Sequence, residues 1–130
     1  MDNNFIFFKF AKIHSLPSNC RLHKAIEFSA VINFKYRASG NLIQVYAKPN
    51  DLLYARIGLI VSKRIEPHAV KRNWIKRILR ETFRKSQHND AHFKKMDWVI
   101  RVRRSVTKND STQLVAETQL LMVQLQQCHD

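Results

Sequence analysis

From Pro67 to Lys85 the chain contains no internal glycine or proline, and its residues sort onto two sides of a single helix. At about 100° per residue, Trp74, Ile75, Ile78 and Leu79 collect on one side. Asn73, Lys76, Arg77, Arg80 and Arg84 form a narrow stripe on the other, with only Ala69 and, at its margin, Phe83 intruding. Pro67 suits a first-turn position, where its missing N–H is not needed. A helix with one apolar side must lay that side on something, and the segments before and after it read as strands.

Leu42 to Ala47 and Tyr54 to Ser62 are rich in β-branched and aromatic residues, and Pro49-Asn50-Asp51 between them is turn chemistry, so the two are expected to pair as a hairpin. In the second run Ile57, Leu59 and Val61 alternate with Arg56, Gly58 and Ile60. The first set should face a core and the second lie more open. Trp98, Ile100 and Val102 alternate with Val99, Arg101 and Arg103, a strand with one apolar and one largely basic face.

Two shorter helices complete the pattern. Ala25, Phe28, Val31 and Ile32 share one face between Lys24 and Asn33. Near the end, Leu114, Val115, Thr118, Leu121, Met122 and Leu125 line one side of a helix that Asp110 and Gln113 could open with a capping box. The expected architecture is α+β, one small domain over residues 20–127 with helices packed on a small sheet, after a loosely ordered extension at 1–19 that contains Pro17, Ser18 and Asn19. If the strands around Gly58 and Val99 pair in parallel, the long helix is their crossover. There are no internal repeats.

Charge narrows the function. The formal net charge is +13, beyond what solubility requires, and implies a polyanionic partner. Between Lys63 and Lys85 nine basic residues stand against Glu66 and Glu81, which puts +7 of the total in that segment. A solvated helix face usually mixes signs to gain i, i+4 pairs, whereas this stripe holds no acid, which favours phosphate binding over simple solvation. No segment approaches the roughly 18 apolar residues of a membrane span. Phe5-Ile6-Phe7-Phe8 is preceded by Asp2, broken by Lys9 and Lys12, and followed by no small-residue cleavage pattern, so secretion is not expected. Cys20 and Cys128 lack CxxC spacing, and the cytoplasm is the expected compartment.

The stretch Arg56-Ile-Gly-Leu-Ile-Val-Ser-Lys63-Arg64, with Ala69-Val-Lys71-Arg72-Asn73-Trp74-Ile75-Lys76-Arg77 and Arg80-Glu81-Thr82-Phe83-Arg84, resembles the signature of the bacterial ribonuclease P protein component. A weaker likeness runs from Arg21-Leu22 to about Arg103. The resemblance implies a central sheet of about four strands with flanking helices, similar to a ribosomal protein domain, and a left-handed crossover through the signature helix, which crossover statistics alone would not suggest. It also implies that Lys63, Arg64, Arg72, Asn73, Lys76, Arg77 and Arg80 face RNA. Lys71 and Arg84 join them as bases of the same segment. The family usually has Arg where this chain has Trp74, and the helical projection places Trp74 on the apolar side.

The same resemblance implies a cleft between the first helix and the sheet that takes the single-stranded 5′ leader of precursor tRNA. Phe28 and Tyr46 match its aromatic positions, Ile32 sits where a second Phe is common, and Arg101 and Arg103 would line it. Rings suit this task because every base has a π face, although Phe28 reads equally well as core.

Catalytic groups are not evident. Ten acids are scattered along the chain, His88 and His92 stand at i, i+4 spacing without a third ligand, and His14, His23, His68 and His129 form no constellation. There is no nucleophile or P-loop pattern. The resemblance implies the reason: cleavage belongs to a catalytic RNA with its Mg²⁺, no metal is expected on the protein alone, and the isolated chain is inactive. The expected partners are that RNA and precursor tRNA, with no membrane and no obligate protein partner. The alternative is a non-catalytic RNA-binding or ribosomal protein. A helix-turn-helix DNA reader would pair two short helices around a tight turn, which residues 67–85 do not.

Overall fold

In a computed structural model, the structure describes residues 16–90 and 93–128. Three helices, α1 (Ala25–Ile32), α2 (Ala69–Asn89) and α3 (Ser111–Cys128), pack on a sheet of four strands, β1 (Tyr36–Ser39), β2 (Ile43–Pro49), β3 (Arg56–Ile60) and β4 (Met96–Val102). The strand order is β1-β2-β4-β3, antiparallel except for the β3–β4 pair. The α+β expectation holds, and β3, α2 and β4 form the parallel crossover.

Alternation divides the sheet into two faces. Ile43, Val45, Ala47, Ile57, Trp98, Ile100 and Val102 point to the α2 and α3 side, where Ile75, Leu79, Phe83, Leu114, Met122 and Leu125 complete the main core. The other face carries a smaller cluster in which Tyr46 and Val99 meet Leu22 and Val31, with Phe28, Ile32 and Ile60 packed against it. That face is therefore not open at Gly58, which the Phe28 ring of α1 covers, while Ile60 is half-buried beside the same cluster.

The hairpin expected between the 42–47 and 54–62 runs does not form. β4 lies between them, pairing Val45 with Ile100 on one side and Leu59 with Ile100 on the other. The physical reason is burial, because β4 carries apolar side chains on both faces and is buried at every position but Arg101, which suits the centre of a sheet. β2 instead turns back onto β1, a strand not anticipated, through a tight turn in which the Gly40 N–H donates to the Ile43 carbonyl at 2.8 Å.

Three helix details also differ. Pro67 precedes α2, whose N-cap is His68, and the helix runs on to Asn89 because nothing after Lys85 breaks it. Asp110 does not cap α3. It closes a capping box with Thr107, accepting that residue's N–H at 2.9 Å, in a 3₁₀ turn, Lys108–Asp110, that leads into the helix. Residues 16–19, expected to be loose, join the fold, with Leu16 against the core and a 3₁₀ turn at Ser18–Cys20. The Phe5–Phe8 run and His14, His92 and His129 lie outside the described residues.

Candidate nucleic-acid interface

The basic segment begins in the turn after β3, where Lys63 and Arg64 are exposed. It is organised by an acid. Glu66 is 2% exposed; its Oε2 accepts the His68 N–H at 3.1 Å and meets the His68 ring, and its Oε1 lies 3.4 Å from Lys71 Nζ. The His68 N–H and ring, then Lys71, hold this carboxyl below its usual range. Arg72 Nη1 donates to the carbonyls of Glu66 and Pro67, both at 2.9 Å. The guanidinium is thereby fixed, with its Nε and Nη2 donors not used in those bonds.

Along α2 the expected sides are present, with adjustments. Ile75, Leu79, Thr82 and Phe83 are buried, so Phe83 is an anchor of the apolar side rather than an intruder on the basic one. Trp74 and Ile78 are half-buried against the main core, which puts Trp74 on the apolar side but not fully inside it. Arg84 leaves the free row, because its guanidinium is largely buried and engages the Glu81 carboxylate through Nε and Nη2. Among the described residues, Lys63, Arg64, Lys76, Arg77 and Arg80 meet no carboxylate. Asn73 and Arg77 are exposed, and Lys76 and Arg80 are half-buried. Val70, 82% exposed, sits within this surface.

On the opposite face, α1 is stapled to the sheet by charge. Arg56 donates through Nε and Nη2 to the two Asp97 oxygens at 2.8 and 2.7 Å, and through Nη1 to Glu27 of α1 at 3.0 Å. Glu27 also accepts the N–H groups of His23 and Lys24, which lower its pKa together with Arg56. Beyond the helix the sheet presents a polar shelf. Arg101 Nη2 donates to Tyr46 Oη at 2.7 Å and to Gln44 Oε1 at 2.8 Å, Tyr46 Oη donates to the same Gln44 oxygen, and Gln44 donates to Ser39. The Arg101 guanidinium stands 5.5 Å from the Tyr46 ring centroid. Arg103 reaches the Gly40 carbonyl. The five residues expected to line a cleft are thus brought onto one face, but Tyr46 is only 3% exposed. α1 occupies the space over its ring, and Phe28 and Ile32 are half-buried in the same packing.

Two positions of this surface escaped the sequence reading. Gly58 is one of only two glycines in the chain, and that scarcity was the available signal. Its bare Cα receives the Phe28 ring. Arg21, before α1, bridges in parallel to Ile57 at the edge of β3 and has no periodicity to mark it.

The family model described as Ribonuclease P matches residues 16–126. The chain belongs to the ribonuclease P protein family. The Nitrosomonas eutropha ribonuclease P protein component is 44% identical over 112 residues, covering 85% of this chain and 90% of its own length. That of Chromobacterium violaceum is 38% identical over 108 residues, covering 83% and 87%. Among solved structures, the RNase P proteins of Staphylococcus aureus and Thermotoga maritima share the fold with a TM-score of 0.61 each, at 23% identity. They cover 85% and 82% of this chain and 95% and 96% of their own. Among the described residues no helix is long and apolar enough to cross a membrane, and no three His, Cys, Asp or Glu side chains are grouped to hold a metal ion.

Proposed function

We propose that this chain is the protein subunit of ribonuclease P, which binds the catalytic RNA through α2 and the turn before it, and the 5′ leader of precursor tRNA on the α1 side of the sheet. The observation that carries this reading is the row of unpaired cations, Lys63, Arg64, Lys76, Arg77 and Arg80, on a rigid helix and its entry turn. Cations left without carboxylates on a fixed scaffold are what phosphate neutralisation requires.

The leader would lie on the Arg101, Gln44 and Arg103 shelf beside α1, where guanidinium and amide groups meet a single strand's phosphates and base edges. The half-buried Phe28 and Ile32 flank that shelf, while Tyr46 contributes its hydroxyl and holds Arg101 in place. Removal of the leader, giving the mature tRNA 5′ end, is then the holoenzyme's reaction. The RNA supplies the Mg²⁺-dependent chemistry, and this chain positions substrate.

The test is reconstitution. Purified chain added to its cognate ribonuclease P RNA is expected to restore precursor tRNA processing at low Mg²⁺, and RNA-free chain to cut nothing. Specific cleavage by the chain alone, or RNA binding with no gain in processing, would overturn the proposal.

A further inference from the structure

The turn from β1 to β2 joins Ser39 to Gln44, two polar residues of the shelf that stand opposite each other in register. Its backbone is held from both faces of the sheet. From the α3 side, Glu117 Oε1 accepts the N–H groups of Leu42 and Ile43 at 2.8 and 2.9 Å. From the shelf side, Arg103 Nη1 donates to the Gly40 carbonyl, and the Arg103 N–H donates to the Leu42 carbonyl at 2.8 Å.

Glu117 is the single charged residue of α3. Among the described residues it forms no ion pair, with Arg103 or with any other cation, so acid and arginine meet only through the peptide groups of the turn. Its approach depends on Gly40, where a Cβ would overlap the carboxylate. Leu42 and Ile43 are fully buried, and buried N–H groups left without an acceptor are costly. If the Glu117 oxygen is withdrawn, the turn must therefore shift to find other acceptors, and the Gly40 carbonyl that holds Arg103 shifts with it.

We propose that Glu117, on the face of the sheet opposite the shelf, is a positioning residue for leader recognition: it fixes the β1–β2 turn and, through the Gly40 carbonyl, the place of the Arg103 guanidinium. Glu117 itself touches no RNA. What matters is the reach of its oxygen rather than its charge, because the groups it meets are two backbone N–H donors. The proposal rests on the leader reading of the shelf given above, and adds that a residue of α3 tunes how tightly the leader is held.

Two substitutions separate reach from charge. Glu117→Gln keeps an accepting oxygen at the same distance and loses the charge, whereas Glu117→Asp keeps the charge on a stem one carbon too short. In holoenzyme reconstituted with the cognate ribonuclease P RNA, the measured quantity is the ratio of affinities for leader-bearing precursor tRNA and mature tRNA. Glu117→Asp is expected to lower that ratio about three- to tenfold, less than the loss of a whole hydrogen bond to a charged group can cause, and Glu117→Gln to restore most of it. An unchanged ratio in Glu117→Asp, or equal losses in the two variants, overturns the proposal. On the chain alone, hydrogen exchange at the Leu42 and Ile43 amides and the Arg103 guanidinium signals, both followed by NMR, should change in Glu117→Asp and stay near wild type in Glu117→Gln. Wild-type signals in Glu117→Asp overturn the positioning step. A wild-type holoenzyme that does not distinguish the two tRNAs refutes the leader reading and with it the role of Glu117 in recognition, and the exchange measurement still decides whether Glu117 sets the turn.

Discussion

The Phe28 ring rests on the bare Cα of Gly58, so closely that a Cβ there would stand 2.4 Å from Phe28 Cε1 and 3.2 Å from Leu22 Cβ. The seating of α1 on the sheet thus depends on a hydrogen atom at position 58. Gly58→Ala is expected to destabilise the fold by about 1–3 kcal/mol through overpacking, measured by chemical denaturation. In a Phe28→Ala background the same substitution should cost much less, and equal costs in the two backgrounds would show that the ring and the glycine are not coupled.

Trp74 separates folding from RNA contact. Half-buried against the core, it should lose about 1.5–3 kcal/mol of stability as Trp74→Ala, while the salt slope of RNA binding stays that of wild type. A slope change without a stability change would instead make its indole part of the RNA surface.

The unpaired cations and Arg84 should behave differently. Replacing Lys76, Arg77 and Arg80 together by Gln is expected to reduce the RNA-binding salt slope by about 2–3, at roughly 0.7–0.9 per phosphate contact. Arg84→Gln, which removes a partner of Glu81, is expected to change that slope little, and Glu81→Gln to steepen it by freeing Arg84. Equal slope losses from Arg84→Gln and Arg77→Gln would contradict the pairing.

Tyr46 and Arg101 divide between packing and leader binding. Because the Tyr46 ring is enclosed, Tyr46→Ala should unfold the α1 face at a cost of about 3–5 kcal/mol, which makes it a poor probe of the cleft. Tyr46→Phe keeps the ring and frees Arg101, and Arg101→Ala removes the cation. Both are expected to weaken binding of leader-bearing precursor tRNA several-fold and leave mature tRNA unaffected, in equilibrium titrations with leaders of decreasing length.

Acid should loosen α1. Glu27 titrates below its ordinary 4.5 in the folded chain, chiefly through the Lys24 and His23 N–H groups. Its contribution is therefore complete above the unfolded pKa and fades as pH falls through the lower folded value. Stability measured from pH 6 to 3 should decline more steeply in wild type than in Glu27→Gln, and parallel declines would remove Glu27 from the staple.

Much of this was legible in the residues. The two sides of α2 follow from its helical period, and the two faces of β3 and β4 from alternation. Pairing was not legible, because the partner of β2 is chosen by which strand can be buried on both faces, a property of the assembled sheet. β1, with Arg37 and Ser39 on one face and Tyr36 and Ala38 on the other, is too short to stand out by pattern. Helical projection sorted charges by direction but not by partner, so Arg84 read as free although Glu81, one turn earlier, engages it. Arg21 was silent for a related reason: its place is set only where the segment before α1 meets the edge of β3 at Ile57.

The order in which the strands are made bears on how the chain comes to be folded. β4 is hydrogen-bonded to both β2 and β3, yet it is the last strand synthesised, and the Arg56–Asp97 pair closes a separation of 41 residues. Until residues 96–102 are available, β2 has only the short β1 beside it, β3 has no neighbour among the four strands, and α2 has no finished sheet to rest on. Non-local closure of this kind slows folding. During synthesis the cationic helix thus becomes available before the sheet that orders it, so on the proposed function the nascent chain would attract RNA by charge before it could hold RNA in register.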